Sequence, residues 1–209
     1  MSSHGPDPSI TTDELEGIEF RSPGRFTIQN PSAVPTQVEP WRSAPFVLGE
    51  NADPVPLYGR DDIRQHALAM IEQARRSLCI YTPDLEPWLY DHSSIQQACS
   101  RFLLAHPRNR LRILSGDSSR TLRQGHRLIA LARRLTSNLQ IRKRHPEYTV
   151  QTSAFLIADD CGLLFRPEPE QYSGHALYCN PSRACQQQRQ FDTAWDHSLS
   201  DPDLRSFLL

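Results

Sequence analysis

From residue 58 onward, short apolar runs alternate with amphipathic stretches, and this alternation restricts the fold more than any other feature of the sequence. The apolar runs have the length of buried strands, whereas the stretches between them repeat apolar residues every three or four positions, as one face of a helix does. Strands that alternate with helices are typical of βαβ units. The sequence therefore predicts an α/β fold with a mostly parallel or mixed sheet flanked by helices.

The predicted strands each have a short apolar centre and end at Pro, Gly, Asp or a basic residue. They lie at 78–82, 111–114, 139–142, 149–158, 163–165 and 176–179. The predicted helices lie at 61–76, 93–106, 118–135 and 182–198, and those at 61, 93 and 118 begin with Asp or Ser, which are good capping residues. The segment 159–162 has the composition of a hairpin turn between two of the strands.

Residues 1–57 differ from the remainder, because nine of the 17 prolines fall there. Proline lacks a backbone N–H and biases the preceding residue toward extended structure, which opposes regular helices. We predict a Pro-rich, partly disordered N-terminal extension, followed by one α/β domain over residues 58–209. Apolar residues such as Trp41 and Phe46 favour an extended arm packed on the domain. The order of residues 16–57 stays open at this point.

The sequence contains no run of about 18 apolar residues, so no membrane span is predicted. The polar start of the chain favours a cytoplasmic location. The five cysteines are odd in number and form no CxxC pair, which favours reduced thiols. A zinc site would have to combine Cys161, His175, Cys179, Cys185 and His197, whose spacings match no common zinc pattern. We therefore predict neither a metal nor a cofactor.

A block of basic residues lies inside a chain whose formal net charge is −1. Residues 101–145 hold twelve Arg or Lys and one acid, Asp117. A surface that binds anions or a phosphate backbone is one interpretation, and a solvated face balanced by acids elsewhere is the other. Aromatic residues are not interleaved with the basic ones in this block, as they usually are in single-strand binding. The candidate anion-binding residues are Arg120, Arg123, Arg127, Arg142, Lys143 and Arg144.

The segment 151–160 resembles the HxKxxxxD motif of the phospholipase D superfamily. There, a strand presents His and Lys on one face and ends at Asp, just before a hairpin. In this register Thr152 stands at the His position, Ala154 at the Lys position and Asp159 at the Asp position. The order of the elements over roughly residues 58–200 also resembles that fold. The aromatic pair Phe191 and Trp195 fits the last helix of many members.

The resemblance implies that the chemistry of the family is lost here. In active members the His attacks phosphorus, the Lys neutralises the nonbridging oxygens and the Asp orients an imidazole. A covalent mechanism needs an activated nucleophile, and the motif places no base beside Thr152. Ala154 carries no charge that could stabilise a developing phosphoryl group. We therefore expect a catalytically inactive domain, of the degenerate kind that the resemblance connects with bacterial proteins.

The resemblance also implies partners. Active members bring two motifs together across a two-fold axis, and this chain has room for one, so a homodimer with an isologous interface is expected. Some degenerate domains of this kind are joined to an acetyltransferase domain, which this chain does not contain. A separately encoded enzyme of that type is therefore a candidate protein partner.

Ligands of open parallel sheets bind beyond the carboxyl ends of the strands. The candidate crevice residues near such ends are Asp84, Ser115, Asp117 and Asn180. Residues 115–119 also precede a predicted helix, whose first backbone N–H groups are suited to an anion. Asp84 and Asp117 fit the alternative of plain turn and capping residues equally well.

Three functional hypotheses follow. The first, which we favour, is an inactive phospholipase D-like module that binds a phosphate-bearing ligand or nucleic acid. One alternative is a metal-dependent hydrolase of altered mechanism, built on Asp117, Asp159 and a histidine. The other alternative is an accessory domain for another enzyme.

Overall fold

Seven strands form one sheet in the order β1-β7-β6-β5-β2-β3-β4 within the computed structural model, which describes residues 39–116, 125–145 and 153–199. The strands are β1 (Val55–Tyr58), β2 (Ser77–Thr82), β3 (Arg110–Ser115), β4 (Leu139–Lys143), β5 (Ala154–Ala158), β6 (Gly162–Arg166) and β7 (Ser173–Leu177). The helices in these ranges are α1 (Arg60–Gln73), α2 (Pro87–Tyr90), α3 (Ser93–Ala105), α4 (Arg127–Arg134) and α5 (Pro181–Asp196).

The sheet is mixed. β2, β3 and β4 are parallel, whereas β5 runs antiparallel to β2, and β6, β7 and β1 continue the antiparallel pairing outward. The α/β prediction is therefore confirmed, with the parallel arrangement confined to three strands. We call the end of the sheet where β2, β3 and β4 finish, at Thr82, Ser115 and Lys143, the carboxyl edge. The end where they start we call the amino edge.

The helices lie on both faces of the sheet because the strands alternate their apolar side chains. Ile80, Ile113 and Leu156 belong to the core shared with α1, α3 and α4. Tyr81 and Phe155, one position along, belong to the core shared with α5. Burial of both faces explains why the central strands are apolar without a polar alternation.

The predicted third helix is interrupted. Gly125 has a φ of +77°, a left-handed conformation that favours glycine, and the helix begins only at Arg127 with His126 as its N-cap. The predicted Ser118–Ser119 cap lies outside the described residues. β5 begins at Ala154, so the strand predicted from Thr149 is shorter within the described part of the chain.

Two short elements, β1 and α2, are not among the strands and helices located from the sequence. β1 contains Pro56, which the sheet tolerates because β1 is an edge strand. This strand spans the position at which the sequence suggests a boundary, and the compact unit that contains it begins at Val38. Trp41, Phe46 and Leu48 from the preceding segment pack against the core. Within the described ranges, no helix combines the length and the apolar character needed to cross a bilayer.

Candidate functional site

The strand that carries the motif resemblance lies in the middle of the sheet, with its first residue at the carboxyl edge. Ala154 is buried and pairs with Arg166 of β6. Cross-strand partners point to the same face of a sheet, so the two side chains lie side by side. Thr152, at the motif's His position, lies outside the described residues. The motif's Lys position is therefore at the carboxyl edge. It is occupied by the methyl side chain of Ala154, and Arg166 lies next to it on the adjacent strand.

Arg166 is fully buried at this edge and forms an ion pair with Glu86 of the β2–α2 loop. Thr82 Oγ1 donates to the second carboxylate oxygen of Glu86 at 3.0 Å. The Arg166 guanidinium also lies 5.3 Å from the centre of the Trp88 ring. Burial raises the pKa of Glu86, while Arg166 and the Thr82 hydroxyl oppose that shift. The charge of Arg166 is thus already neutralised inside the protein.

The loop that supplies Glu86 has an unusual backbone. Leu85 and Glu86 have φ values of 67° and 35°, in the left-handed region that residues other than glycine seldom adopt. Asp84 Oδ1 accepts a hydrogen bond from the Glu86 N–H at 3.0 Å, as turn-forming aspartates do. Asp84 is exposed at the carboxyl edge, where the sequence predicted it. Leu85 itself is fully buried, which holds the loop in place.

Asp159 lies at the opposite end of the sheet, on the amino edge. Its carboxylate accepts the backbone N–H groups of Arg75, Arg76 and Ser77, at 3.0, 2.8 and 3.0 Å. The five residues of β5 separate it from the carboxyl edge by about 17 Å. Asp159 therefore anchors the start of β2 and is too distant to orient a group beside Ala154.

Asn180 is also at the amino edge, so the prediction that it shares a crevice with Ser115 is wrong. β7 runs antiparallel to β6, and the residues that follow it therefore leave the sheet at the amino edge. The Asn180 side chain accepts the N–H of Arg183 at 3.0 Å and caps α5. The antiparallel half of the sheet, which the sequence did not reveal, explains the error.

Ser115 ends β3 at the carboxyl edge, as expected. Its side chain is buried, and its hydroxyl has no hydrogen-bond partner in the described part of the chain. Its carbonyl accepts the N–H of Arg144 at 2.9 Å, and the next residue, Gly116, donates to Thr82 at 3.1 Å. A Cβ at Gly116 would lie 2.6 Å from the carbonyl oxygen of Pro83, so only glycine fits there. Asp117 lies outside the described residues.

The predicted basic residues are separated by the fold and are engaged locally. Arg127 donates its N–H to Asp91 at 2.9 Å and lies 3.8 Å from it as an ion pair. The Arg142 guanidinium lies 4.4 Å from the Trp195 ring. The Arg144 guanidinium lies 4.6 Å from the Tyr81 ring. Lys143 pairs by its backbone with Leu199. Arg120 and Arg123 lie outside the described residues.

Two histidines at the carboxyl edge were missed by the sequence analysis. His92 and His126 are the N-caps of α3 and α4, and their Nδ1 atoms accept N–H groups from Ser94 and Leu128. Histidine is not among the usual capping residues, so only its position two residues before an amphipathic run could have indicated the role. Burial lowers the pKa of both imidazoles.

The cysteines and histidines considered for a zinc site do not come together. Within residues 39–116, 125–145 and 153–199, no group of three His, Cys, Asp or Glu side chains has a metal-binding arrangement. Cys79 and Cys99 are buried, and all five thiols are free. The described residues thus offer an edge lined by donors and carboxylates, without a ready metal site.

The sequence model of one family, described as a domain of unknown function (DUF7931), matches residues 59–207. None of the curated proteins matches the chain. The structural neighbours include phospholipase D family members at low identity. Nuc from Salmonella typhimurium, a phospholipase D family member, is 16% identical with a TM-score of 0.45, covering 71% of this chain and 99% of its own.

Two neighbours have a higher TM-score of 0.53. NucT from Helicobacter pylori is 11% identical, and the alignment covers 71% of this chain and 99% of NucT. TrmBL2, described as an archaeal chromatin protein with a novel mode of DNA binding, is 12% identical, and the alignment covers 71% of this chain and 54% of TrmBL2. This chain therefore spans about half the length of TrmBL2. At such identities the similarity establishes a common fold.

Proposed function

Because the chain belongs to the DUF7931 family, whose description names no activity, we propose a function from its geometry. It is a catalytically inactive phospholipase D-like domain that binds a phosphate-bearing ligand at the carboxyl edge of its sheet. The observation that carries the proposal is the pairing of Ala154 with Arg166, whose guanidinium is engaged by Glu86.

The loss of activity follows from charge. A phosphoryl-transfer site needs positive groups aimed at the developing charge, and removing such a group costs several kcal/mol, about 3 for a single donor. Ala154 supplies none, and the nearby Arg166 is buried in an ion pair with both partners less than 5% exposed. A guanidinium that already satisfies a carboxylate gains little from a second anion. The Arg166–Glu86 ion pair therefore stabilises the fold and leaves no free positive charge on Arg166 for catalysis.

Binding of a phosphate-bearing ligand is supported by other groups at the same edge of the sheet. Arg127, Lys143 and Arg144 lie at the carboxyl edge, and α3 and α4 both begin there. Helix starts carry partial positive charge and unsatisfied N–H groups, which favour anions. The similarly folded TrmBL2 is described as binding DNA, which makes nucleic acid the leading candidate among phosphate-bearing partners.

The test has two parts. The full chain is assayed with a chromogenic phosphodiester and with DNA, and we expect no turnover above that of Thr152→Ala, which changes the residue at the motif's His position. Turnover that this variant abolishes would overturn the claim of inactivity.

In the second part, DNA binding is titrated against salt for the wild type and for Arg120→Glu/Arg123→Glu/Arg127→Glu. We expect binding that weakens with salt and falls about tenfold or more in the triple variant. The control is Arg133→Glu/Arg134→Glu, at the other end of α4, which should retain most of the affinity. Equal losses in both variants would mean that net charge, and not this edge, binds the DNA.

We propose further that the domain acts in the bacterial cytoplasm and pairs with a second copy, as the phospholipase D resemblance implies. Light scattering coupled to size exclusion checks the second copy: a mass near twice 23.9 kDa is expected, and a strictly monomeric chain at high concentration would contradict it. No observation among the described residues favours the metal-dependent hydrolase or the accessory domain over the binding module.

A further inference from the structure

Buried polar atoms without a hydrogen-bond partner are concentrated at the carboxyl edge. Within the described ranges, five buried side-chain N or O atoms have no partner, and four belong to residues at this edge. Folded proteins pair nearly all such atoms, because an unpaired one costs free energy of desolvation. Four at one edge therefore indicate a partner that is not among the described residues. These residues, which we call the donor cluster, are His92, Ser115, His126 and Arg144.

All four orphaned atoms are able to donate. Nδ1 of His92 accepts the Ser94 N–H at 3.2 Å, and Nδ1 of His126 accepts the Leu128 N–H at 3.1 Å. A neutral imidazole whose Nδ1 accepts carries its proton on Nε2, so both Nε2 atoms are donors. The Leu85 carbonyl also interacts with the His126 ring and raises its pKa, although Nε2 makes no hydrogen bond of full geometry among the described residues. The Ser115 hydroxyl and the Arg144 Nε–H donate as well. The capping geometry of two helices thus fixes the chemical character of the cluster.

Backbone contacts hold the cluster along one edge. The Asp91 carboxylate accepts the Arg127 N–H at 2.9 Å, which ties the start of α3 to the start of α4, with His92 and His126 on either side. The Ser115 carbonyl accepts the Arg144 N–H at 2.9 Å, which ties β3 to β4. Ser115 and His126 are both more than nine-tenths buried, so their donors are held in fixed positions.

The three carboxylates of the segment between β2 and α3 are already engaged. Glu86 pairs with Arg166, and Asp91 binds Arg127. Asp84 accepts the Glu86 N–H. An oxyanion with several acceptor oxygens would satisfy the unpartnered donors together.

We propose that the donor cluster binds a phosphate group, with Ser115 and His126 as its central donors and His92 beside them. Arg144, which lies over Tyr81 on the opposite face of the sheet, adds positive charge at the same edge. This inference deepens the proposed function and rests on it, because it names the residues that hold the phosphate. None of these four residues belongs to the strand that carries the motif resemblance. The starts of α3 and α4, helices of 13 and 8 residues, add their partial positive charge.

The experiment compares phosphate affinity in four forms of the full chain by calorimetric titration at low salt. Ser115→Ala removes the orphaned hydroxyl, and His126→Ser removes the Nε2–H while keeping a residue that caps helices well. The matched control is His106→Ser. His106 also accepts a backbone N–H two residues on, from Arg108 at 3.0 Å, but it is exposed at the amino edge.

The probes are inorganic phosphate, adenosine monophosphate and a short DNA strand, which separate a free phosphate from a phosphate ester and from nucleic acid. We expect the wild type and the control to bind at least one probe equally, and the two cluster variants to bind it about tenfold or more weakly. Ser115→Ala should also melt at a higher temperature, because it removes an unpaired buried hydroxyl. That result would show that its lower affinity is not a loss of folding.

Three results would overturn the inference. If the cluster variants bind phosphate as well as the control does, the orphaned atoms are packing faults, and the proposed function stands without this site. If the wild type binds only DNA and the cluster variants bind it as well as the control does, the ligand is held elsewhere on the surface. Absence of binding to every probe would overturn the proposed function as well.

Discussion

The two edges of the sheet treat their polar groups in opposite ways. At the amino edge, the Asp159 carboxylate satisfies three consecutive backbone N–H groups, and the Asn180 side chain caps α5. At the carboxyl edge, four buried donors have no partner among the described residues, and Leu85 and Glu86 have a left-handed backbone. Unpaired polar atoms and backbone strain both cost stability, so they persist where something other than stability maintains them.

The comparison separates the two halves of the motif resemblance. Asp159, which matches the motif, accepts backbone N–H groups at the amino edge and so stabilises the start of β2. Ala154, where the sequence departs from the motif, lies at the other edge, beside the buried ion pair. The residue that matches the motif thus stabilises the fold, while the position that departs from it lies at the carboxyl edge. Under the proposed function, a domain without the catalytic groups still keeps groups that bind an anion.

The largest effect is expected from the buried ion pair. Arg166→Ala leaves the Glu86 carboxylate desolvated and without its cation, and such breaks cost about 3–5 kcal/mol. The free energy of unfolding from urea titration measures the loss. Glu86→Leu/Arg166→Met removes both charges and should recover a large part of the stability. A loss below about 1 kcal/mol in Arg166→Ala would show that the pair is open to water and that the carboxyl edge is not closed as described.

The amino edge has its own test. Asp159→Ala removes the acceptor for the backbone N–H groups of Arg75, Arg76 and Ser77 and should cost about 2 kcal/mol. Asp159→Asn should cost less, because asparagine accepts hydrogen bonds and tolerates the φ of 52° found there. The control is Asp160→Ala, whose exposed pair with Arg76 at 3.6 Å is worth about 0.5 kcal/mol. Similar costs for Asp159→Ala and Asp160→Ala would remove the distinction between the edges.

The sequence predicts the parts of this fold that depend on local pattern. The periods of two and of 3.6 identify the buried strands and the amphipathic helices, so β2, β3, α1 and α3 lie where they were predicted. The direction of β5 relative to β2 depends on contacts between distant segments, which no local pattern encodes. Asn180 was assigned to the wrong end of the sheet because the antiparallel direction of β5, β6 and β7 could not be predicted.

The candidate site was less predictable, for two physical reasons. Arg166 follows an apolar run, and nothing in the sequence shows that Glu86, 80 residues earlier, neutralises it. His92 and His126 act as helix caps that propensity does not indicate. Gly125, by contrast, lies inside the predicted third helix and was a readable signal for its interruption.

A smaller effect, of opposite sign, is expected from Ser115→Ala. Replacing a buried hydroxyl without a partner by a methyl group removes a desolvation penalty, and we expect a gain of about 1 kcal/mol in the free energy of unfolding. Urea titration without phosphate measures it. Ser94→Ala is the comparison, because Ser94 is also buried but its hydroxyl accepts the Trp41 N–H at 3.0 Å, so that variant should lose stability. A loss in both variants would mean that the Ser115 hydroxyl is satisfied in solution.

The smallest effect is expected from pH, and its sign differs between two buried groups of the carboxyl edge. Burial lowers the pKa of His126 below its ordinary value of 6.5; Asp91, the Leu85 carbonyl and Asp84 oppose the shift, and Arg127 adds to it. The unfolded imidazole therefore takes up a proton more readily than the folded one, so this contribution to stability is present above pH 6.5 and is lost as the pH falls toward 5. Burial raises the pKa of Glu86, whose contribution to stability has the opposite sign and is lost as the pH rises through the folded pKa.

The free energy of unfolding of the wild type and of His126→Ser, measured between pH 7 and 5, separates the contribution of the histidine. The free energy should change less with pH in the variant. The same pH dependence in both proteins would show that His126 takes up a proton as readily in the folded chain as in the unfolded one. Its Nε2–H would then be in contact with water.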